Sequence, residues 1–130
     1  MINIFVIDDD LVALYASIYK LEQAEVDVAV KGFDGAQKAL DYLSDLSEKK
    51  ENFPEVILLD LVMPVMNGWG FLEAFERLFG NPIDSKIYIL SALENSKDRI
   101  RAKKHPKVSG VFVKPISQAI VQKIALEGDS

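Results

Sequence analysis

Aspartates gather where an apolar run stops. Ile2 to Ile7 is followed at once by Asp8, Asp9 and Asp10. The wholly apolar Val56-Ile57-Leu58-Leu59 is followed by Asp60, Ile87 to Leu90 by Ser91, and Val111-Phe112-Val113 by Lys114-Pro115. Taken singly, each has an ordinary use: an Asp or Ser caps a helix or forms a turn, a Lys is solvated, a Pro opens a helix. Together they make another demand. Carboxylates brought to one rim repel by roughly 4 kcal/mol per pair at 4 Å in an effective dielectric of 20, and without compensation their pKa values rise. A hard divalent cation, Mg²⁺ or Mn²⁺, relieves this by binding a few carboxylates, waters and phosphate oxygens. A lysine at the same rim adds a point charge suited to phosphate, and a serine hydroxyl adds a donor. Carboxylates, metal, lysine and hydroxyl are the parts that phosphoryl transfer needs.

The elements that must bring these residues together alternate in period. Ile2 to Ile7 reads as a buried strand, and Leu11, Leu14, Tyr15, Ile18 and Leu21 recur at helical spacing. Val26, Val28 and Val30 alternate with polar or small residues as an edge strand does, and this strand ends in Lys31-Gly32-Phe33, which offers no obvious chemistry. Ala36, Ala39, Leu40 and Leu43 mark a second helix with Gly35 near its start, and the polar stretch Ser44 to Glu55 reads as a loop or a frayed helix end. A central strand at Val56–Leu59 leads through a turn at Asn67-Gly68 to a helix carrying Phe71, Leu72, Phe75 and Leu78, closed by Gly80 and Pro82. Strands at Ile87–Leu90 and Val111–Val113 enclose a charged helix from about Asn95 to Lys104, and a last helix runs from Ile116 to Leu126. Five strands alternating with five helices predict one doubly wound α/β domain over residues 1–130, with parallel strands, right-handed crossovers and ligands at the carboxyl ends of the strands.

Composition narrows the classes further. The 130 residues are 49% hydrophobic and 27% charged, with a net charge of −5 and no cysteine. A disulfide framework, a zinc–thiolate site and thiol catalysis are thereby excluded. A pI near 4.9 argues against nucleic-acid binding, which clustered positive charge drives. No apolar run reaches the ~20 residues of a membrane span, and Met1-Ile2-Asn3-Ile4 lacks a basic secretion signal. The expected setting is the cytoplasm, with no membrane partner.

At Asp8-Asp9, Ser91-Ala92 and Lys114-Pro115, and above all along Leu58-Leu59-Asp60-Leu61-Val62-Met63-Pro64-Val65-Met66-Asn67-Gly68, the chain resembles the receiver domain of bacterial two-component response regulators, in its stand-alone, chemotaxis-type form. The resemblance implies a flavodoxin-like sheet of strand order 2-1-3-4-5. It implies that Asp60 accepts a phosphoryl group from a histidine kinase or a histidine phosphotransfer protein, and that the chain is a switch, catalysing only its own phosphorylation and slow autodephosphorylation. Asp9 would bind the metal directly, Asp8 mainly through water, Asp60 with them, and Val62 through its backbone carbonyl. Ser91 would hydrogen-bond the phosphoryl group, Lys114 would pair with another of its oxygens, and the Lys114–Pro115 bond is expected to be cis. Asp10 is left to cap the first helix. With 130 residues consumed by one receiver, the signal is expected to leave by contact with a downstream protein.

Two other readings stay beside this one. Asp8-Asp9-Asp10-Leu11-Val12 fits the haloacid-dehalogenase-like phosphatases, with Asp8 as nucleophile and Asp10 as general acid, but only Glu127 and Asp129 follow the lysine as acidic residues, and Asp60 goes unexplained. A receiver-like binding module independent of phosphate is the other, although none of the resemblance's acidic pair, acceptor or lysine is missing.

The chain also departs from the resemblance. Val62 and Leu93, expected beside the attacking water, are apolar, which predicts slow self-dephosphorylation. Val111 stands where an aromatic residue is usual, with Phe112 expected on the other face. Lys97, Arg99, Arg101, Lys103, Lys104 and Lys107 make the fourth helix and its exit basic; a solvated face accounts for that as well as docking to an acidic partner or pairing between two copies across the fourth helix, fifth strand and fifth helix. His105 is expected to be solvent-exposed, and Trp69 to pack over the site loop or the third helix.

Overall fold

Alternating side chains let each strand cover two layers at once. In the computed structural model, which describes residues 1–80, 84–92 and 96–128, the elements in chain order are β1 (Ile2–Ile7), α1 (Leu11–Gln23), β2 (Val28–Phe33), α2 (Ala36–Glu48), β3 (Val56–Asp60), α3 (Gly68–Phe79), β4 (Lys86–Ser91), α4 (Ser96–Lys103), β5 (Val108–Val113) and α5 (Gln118–Gly128). The five strands are parallel in the order β2-β1-β3-β4-β5, as expected. All five residues of β3 are buried, which is why that run carries no polar residue before Asp60.

Ile2, Ile4 and Val6 of β1, Val56 and Leu58 of β3, and Tyr88 and Leu90 of β4 face Leu14 and Leu21 of α1 and Val121 and Ile124 of α5. Phe5, Ile7, Ile57, Leu59, Ile87 and Ile89 face the other way, toward Leu40 and Leu43 of α2, Phe71 and Phe75 of α3, and Ala102 of α4. On β5, Phe112 joins the first layer, stacked 5.2 Å from Tyr88, while Val111 packs against the second. The two residues therefore do point to opposite faces.

Several boundaries differ from the sequence reading, each for a local reason. The stretch from Ser44, read as a loop or a frayed helix end, continues α2 as far as Glu48, because Leu46 continues the buried spacing of Leu40 and Leu43 while Asp45, Ser47 and Glu48 turn outward. Val26 lies outside β2. That strand ends in Lys31-Gly32-Phe33 as expected, and a side chain at Gly32 would stand 2.6 Å from Ile18 of α1. β5 starts three residues early, across a register irregularity opposite Ile87 and Tyr88. Ile116 is a buried loop residue and Pro115 does not open α5; the Ser117 hydroxyl accepts from the Ile120 N–H at 3.2 Å near the start of that helix. Gly80 closes α3 with a φ of 62° as expected; Pro82, Asn95 and Asp129 lie outside the described residues. Among the described residues no helix is long and apolar enough to cross a membrane.

Candidate phosphoacceptor and metal site

Sheet hydrogen bonding places the chemistry. Asp60 and Ser91 are the last residues of their strands, paired in register with Leu90 and Val113, so the ladder itself fixes their backbones. Asp8 follows β1 directly, and its N–H donates to the Phe33 carbonyl at 3.0 Å, tying it to the end of β2. Lys114 follows β5, and its N–H donates to the Ser91 carbonyl at 2.9 Å. The Lys114–Pro115 bond is cis.

The side chains then converge. Asp8 is fully buried, Asp60 is 6% exposed and Asp9 half-buried. One carboxylate oxygen from each lies within 4.8 Å of the others. The Lys114 ammonium donates to Asp8 Oδ2 at 2.6 Å and stands 3.4 Å from Asp60 Oδ1. Asp8 Oδ1 accepts from the Asp10 N–H at 3.0 Å, and Asp60 Oδ1 is a longer 3.5 Å from the Val62 N–H. Asp10 itself is exposed and caps α1, accepting from the N–H groups of Val12 and Ala13 at 3.0 and 3.4 Å. It stands outside the acidic group, as the capping expectation had it and against the general-acid role.

Burial pushes the Asp60 carboxyl up to about 6, against the pull of the Lys114 charge and with the help of the Asp8 charge. Burial works to lower the Lys114 ammonium, but its hydrogen bond to Asp8 and the Asp60 and Asp8 charges outweigh that and hold its pKa above the ordinary value. Three carboxylates gather here, and one lysine meets two of them. That is an excess of hard, negative oxygen donors, which suits Mg²⁺ or a similar divalent cation.

The loop after Asp60 is built tightly underneath. The Gly68 N–H donates to the Leu61 carbonyl at 2.9 Å, and a side chain at Gly68 would meet the Asp60 carbonyl and Leu61 Cα, each at 2.8 Å. Only glycine fits where α3 begins. Leu61 and Met63 turn into the core, Asn67 caps α3 by accepting from the Gly70 N–H at 2.9 Å, and Val62 and Val65 are exposed.

Some residues do more than their sequence positions suggested. The Ser91 hydroxyl donates to the Ala92 carbonyl at 3.2 Å, and the half-buried Arg99 donates to the same carbonyl at 3.0 Å. The Arg101 guanidinium lies 4.0 Å above the Trp69 ring, so Trp69 joins α3 to α4. His105 is half-buried, not solvent-exposed: its Nδ1 accepts from the Lys107 N–H at 3.1 Å and its ring stands 6.3 Å from Trp69. Spacing along a polar helix shows which residues neighbour each other, but not which carbonyl or ring an arginine reaches across a gap. Leu93 lies outside the described residues.

The chain is thus a doubly wound α/β domain with an acidic group at the carboxyl rim of its sheet, where such folds hold ligands, and a lysine between two of the carboxylates. Residues 4–125 match the family model of the response regulator receiver domain. The chain belongs to that family, and with it to phosphorylation-dependent, two-component signalling. It is 31% identical over 91 residues to a two-component response regulator of Oryza sativa subsp. japonica, covering 70% of this chain and 38% of that one. It is 34% identical over 97 residues to a protein-glutamate methylesterase/protein-glutamine glutaminase of Treponema pallidum (strain Nichols), covering 71% and 23%. The chain thus spans well under half the length of these curated relatives. A solved two-component response regulator from Cytophaga hutchinsonii shares the fold at a TM-score of 0.86 and 21% identity, covering 97% and 95% of the two chains.

Proposed function

We propose that residues 1–130 are a single receiver domain, acting in the cytoplasm as a switch that a histidine kinase or phosphotransfer protein sets by phosphorylating Asp60. The observation that carries this is the convergence of Asp8, Asp9 and Asp60, with the Lys114 ammonium against Asp8 and Asp60.

An Asp60 carboxylate oxygen forms the new bond to phosphorus as the bond to the donor's imidazole nitrogen breaks, and the imidazole leaves with a proton. Asp60 is aimed by the β3–β4 ladder and braced from below by the close approach of Gly68. Lys114, released from one of its two carboxylates, pairs with a phosphoryl oxygen and offsets the charge that develops there. Ser91 donates its hydroxyl to another oxygen. Mg²⁺ or Mn²⁺, held by Asp8, Asp9, Asp60 and the Val62 carbonyl, would neutralise charge and orient the phosphoryl oxygens. Hydrolysis of the acyl phosphate resets the switch, slowly, since the Val62 side chain is apolar. The domain turns over no other substrate. Its output is contact with a downstream protein, or with a second copy, through the face of α4, β5 and α5, where Lys97, Lys103 and Lys104 are exposed.

The test is labelling with acetyl phosphate and Mg²⁺. Wild type and Asp8→Asn are compared with Asp60→Asn, which should abolish an acid-stable, base-labile label. Label that survives in Asp60→Asn and disappears in Asp8→Asn would overturn the assignment. Absence of label with acetyl phosphate and with a phosphorylated kinase would favour a module that binds without phosphate.

A further inference from the structure

Helix α4 is anchored unlike the other helices. It spans eight residues, and Ala102 is its one buried residue among those described. An apolar stripe does not hold it, so polar contacts must. Two arginines supply them. Arg99 donates to the Ala92 carbonyl at 3.0 Å, and Arg101 lies 4.0 Å over the Trp69 ring.

We infer that Arg99 is a positioning residue that couples the Ser91 hydroxyl to α4 through the Ala92 carbonyl. The inference rests on the reading above, in which Ser91 turns to meet the phosphoryl group. A carbonyl oxygen has two lone pairs, and here the Ser91 hydroxyl at 3.2 Å and the Arg99 guanidinium share them. When the hydroxyl turns away, it would leave a partly buried carbonyl without a donor, and such a loss opposes the turn. Arg99 removes that opposition, because its charge-assisted bond stays in place. The same bond ties Ala92 to α4. A shift of the backbone just past Ser91 is therefore passed to the helix rather than absorbed in the connection.

The second arginine reads the result. Trp69 follows Gly68, whose N–H is bonded to Leu61, the neighbour of Asp60. It is anchored on the acceptor's side of the site, while Arg101 rides on α4. Movement of α4 relative to α3 changes their stacking, and Trp69 is the only tryptophan in the chain. Val111 on β5 supplies no ring to carry the same motion by another route.

The experiment uses the full chain with Mg²⁺ and beryllium fluoride as the phosphoryl mimic, following binding by calorimetry and Trp69 by emission. Wild type should bind the mimic with a change in emission. Arg99→Ala should bind about fivefold to tenfold more weakly, the scale of one hydrogen bond, and lose most of the emission change. Arg99→Lys, which keeps one charged donor, should recover part of both and also stands in if Arg99→Ala folds poorly. Arg101→Ala should bind as wild type does but without the emission change. In a Ser91→Ala background, Arg99→Ala should cost nothing further, since the interaction it serves is gone. Wild-type binding and emission in Arg99→Ala, or a penalty undiminished in the Ser91→Ala background, would overturn the inference and leave the phosphoacceptor standing. Absence of label from Asp60 in wild type, with acetyl phosphate and with a phosphorylated kinase alike, would overturn both.

Discussion

Asp60 sits where a carboxylate is least comfortable. Its pKa is raised from 3.8 to about 6, burial being the main cause. The folded state therefore keeps a proton that the unfolded chain gives up between about pH 4 and 6. Asp60 weighs nothing on stability below that window. It turns against folding as pH rises through it, and its cost stays constant above. For metal-free protein the cost is on the order of 1–3 kcal/mol. Asp60→Asn should accordingly be more stable than wild type in urea at pH 7 without divalent ions, and the gain should vanish below pH 4. A variant less stable at pH 7 would mean that Lys114 outweighs burial. Val65 is a second residue at odds with its place: fully exposed and β-branched, it holds a φ of 69°. Asparagine tolerates that backbone better, so Val65→Asn should raise the urea midpoint by the equivalent of about 1 kcal/mol. An unchanged or lower midpoint would count against strain in the site loop.

At the scale of elements, helices divide by what they bury. Five residues of α3 are buried, including Phe71 and Phe75, against Ala102 alone in α4. Native-state hydrogen exchange should find α4 amides opening at least about tenfold faster than those in the middle of α3; equal protection would show α4 locked by more than its two arginines. The same contrast explains what sequence can and cannot reveal. β1, β3, α1 and α3 were legible because their apolar residues keep a period. The end of α2 was not, because Leu46 alone carries the period through a polar stretch. The start of β5 was hidden by Ser109 and Gly110 at a register irregularity. For the candidate site, the ends of the strands pointed to Asp8, Asp9, Asp60, Ser91 and Lys114. What no spacing contained was the direction of the side chains: Lys114 between two aspartates, and Ser91 turned to the Ala92 carbonyl that Arg99 also holds.

At the scale of the whole molecule, a metal held by the acidic group would make folding and metal binding one equilibrium. A cation held by the folded state alone stabilises it, by about 2.7 kcal/mol when present at a hundred times its dissociation constant. Mg²⁺ should raise the melting temperature of wild type reversibly, with EDTA restoring the lower value. Asp9→Asn should lose most of that rise while melting cooperatively; a full rise in Asp9→Asn would remove Asp9 from the metal site. The ion pair between Asp8 and Lys114 joins residues 106 positions apart. On a ribosome emitting residues from the amino end, Asp8 and Asp60 are already made when Lys114 is not, and the delay is roughly 3–10 s at ordinary rates of synthesis. For that interval the growing chain carries Asp8, Asp9 and Asp60 without the ammonium that sits between Asp8 and Asp60. The order of manufacture puts β5 after the acidic residues: a nascent chain stalled before it holds the negative half of the site alone, and the lysine is added to carboxylates already made.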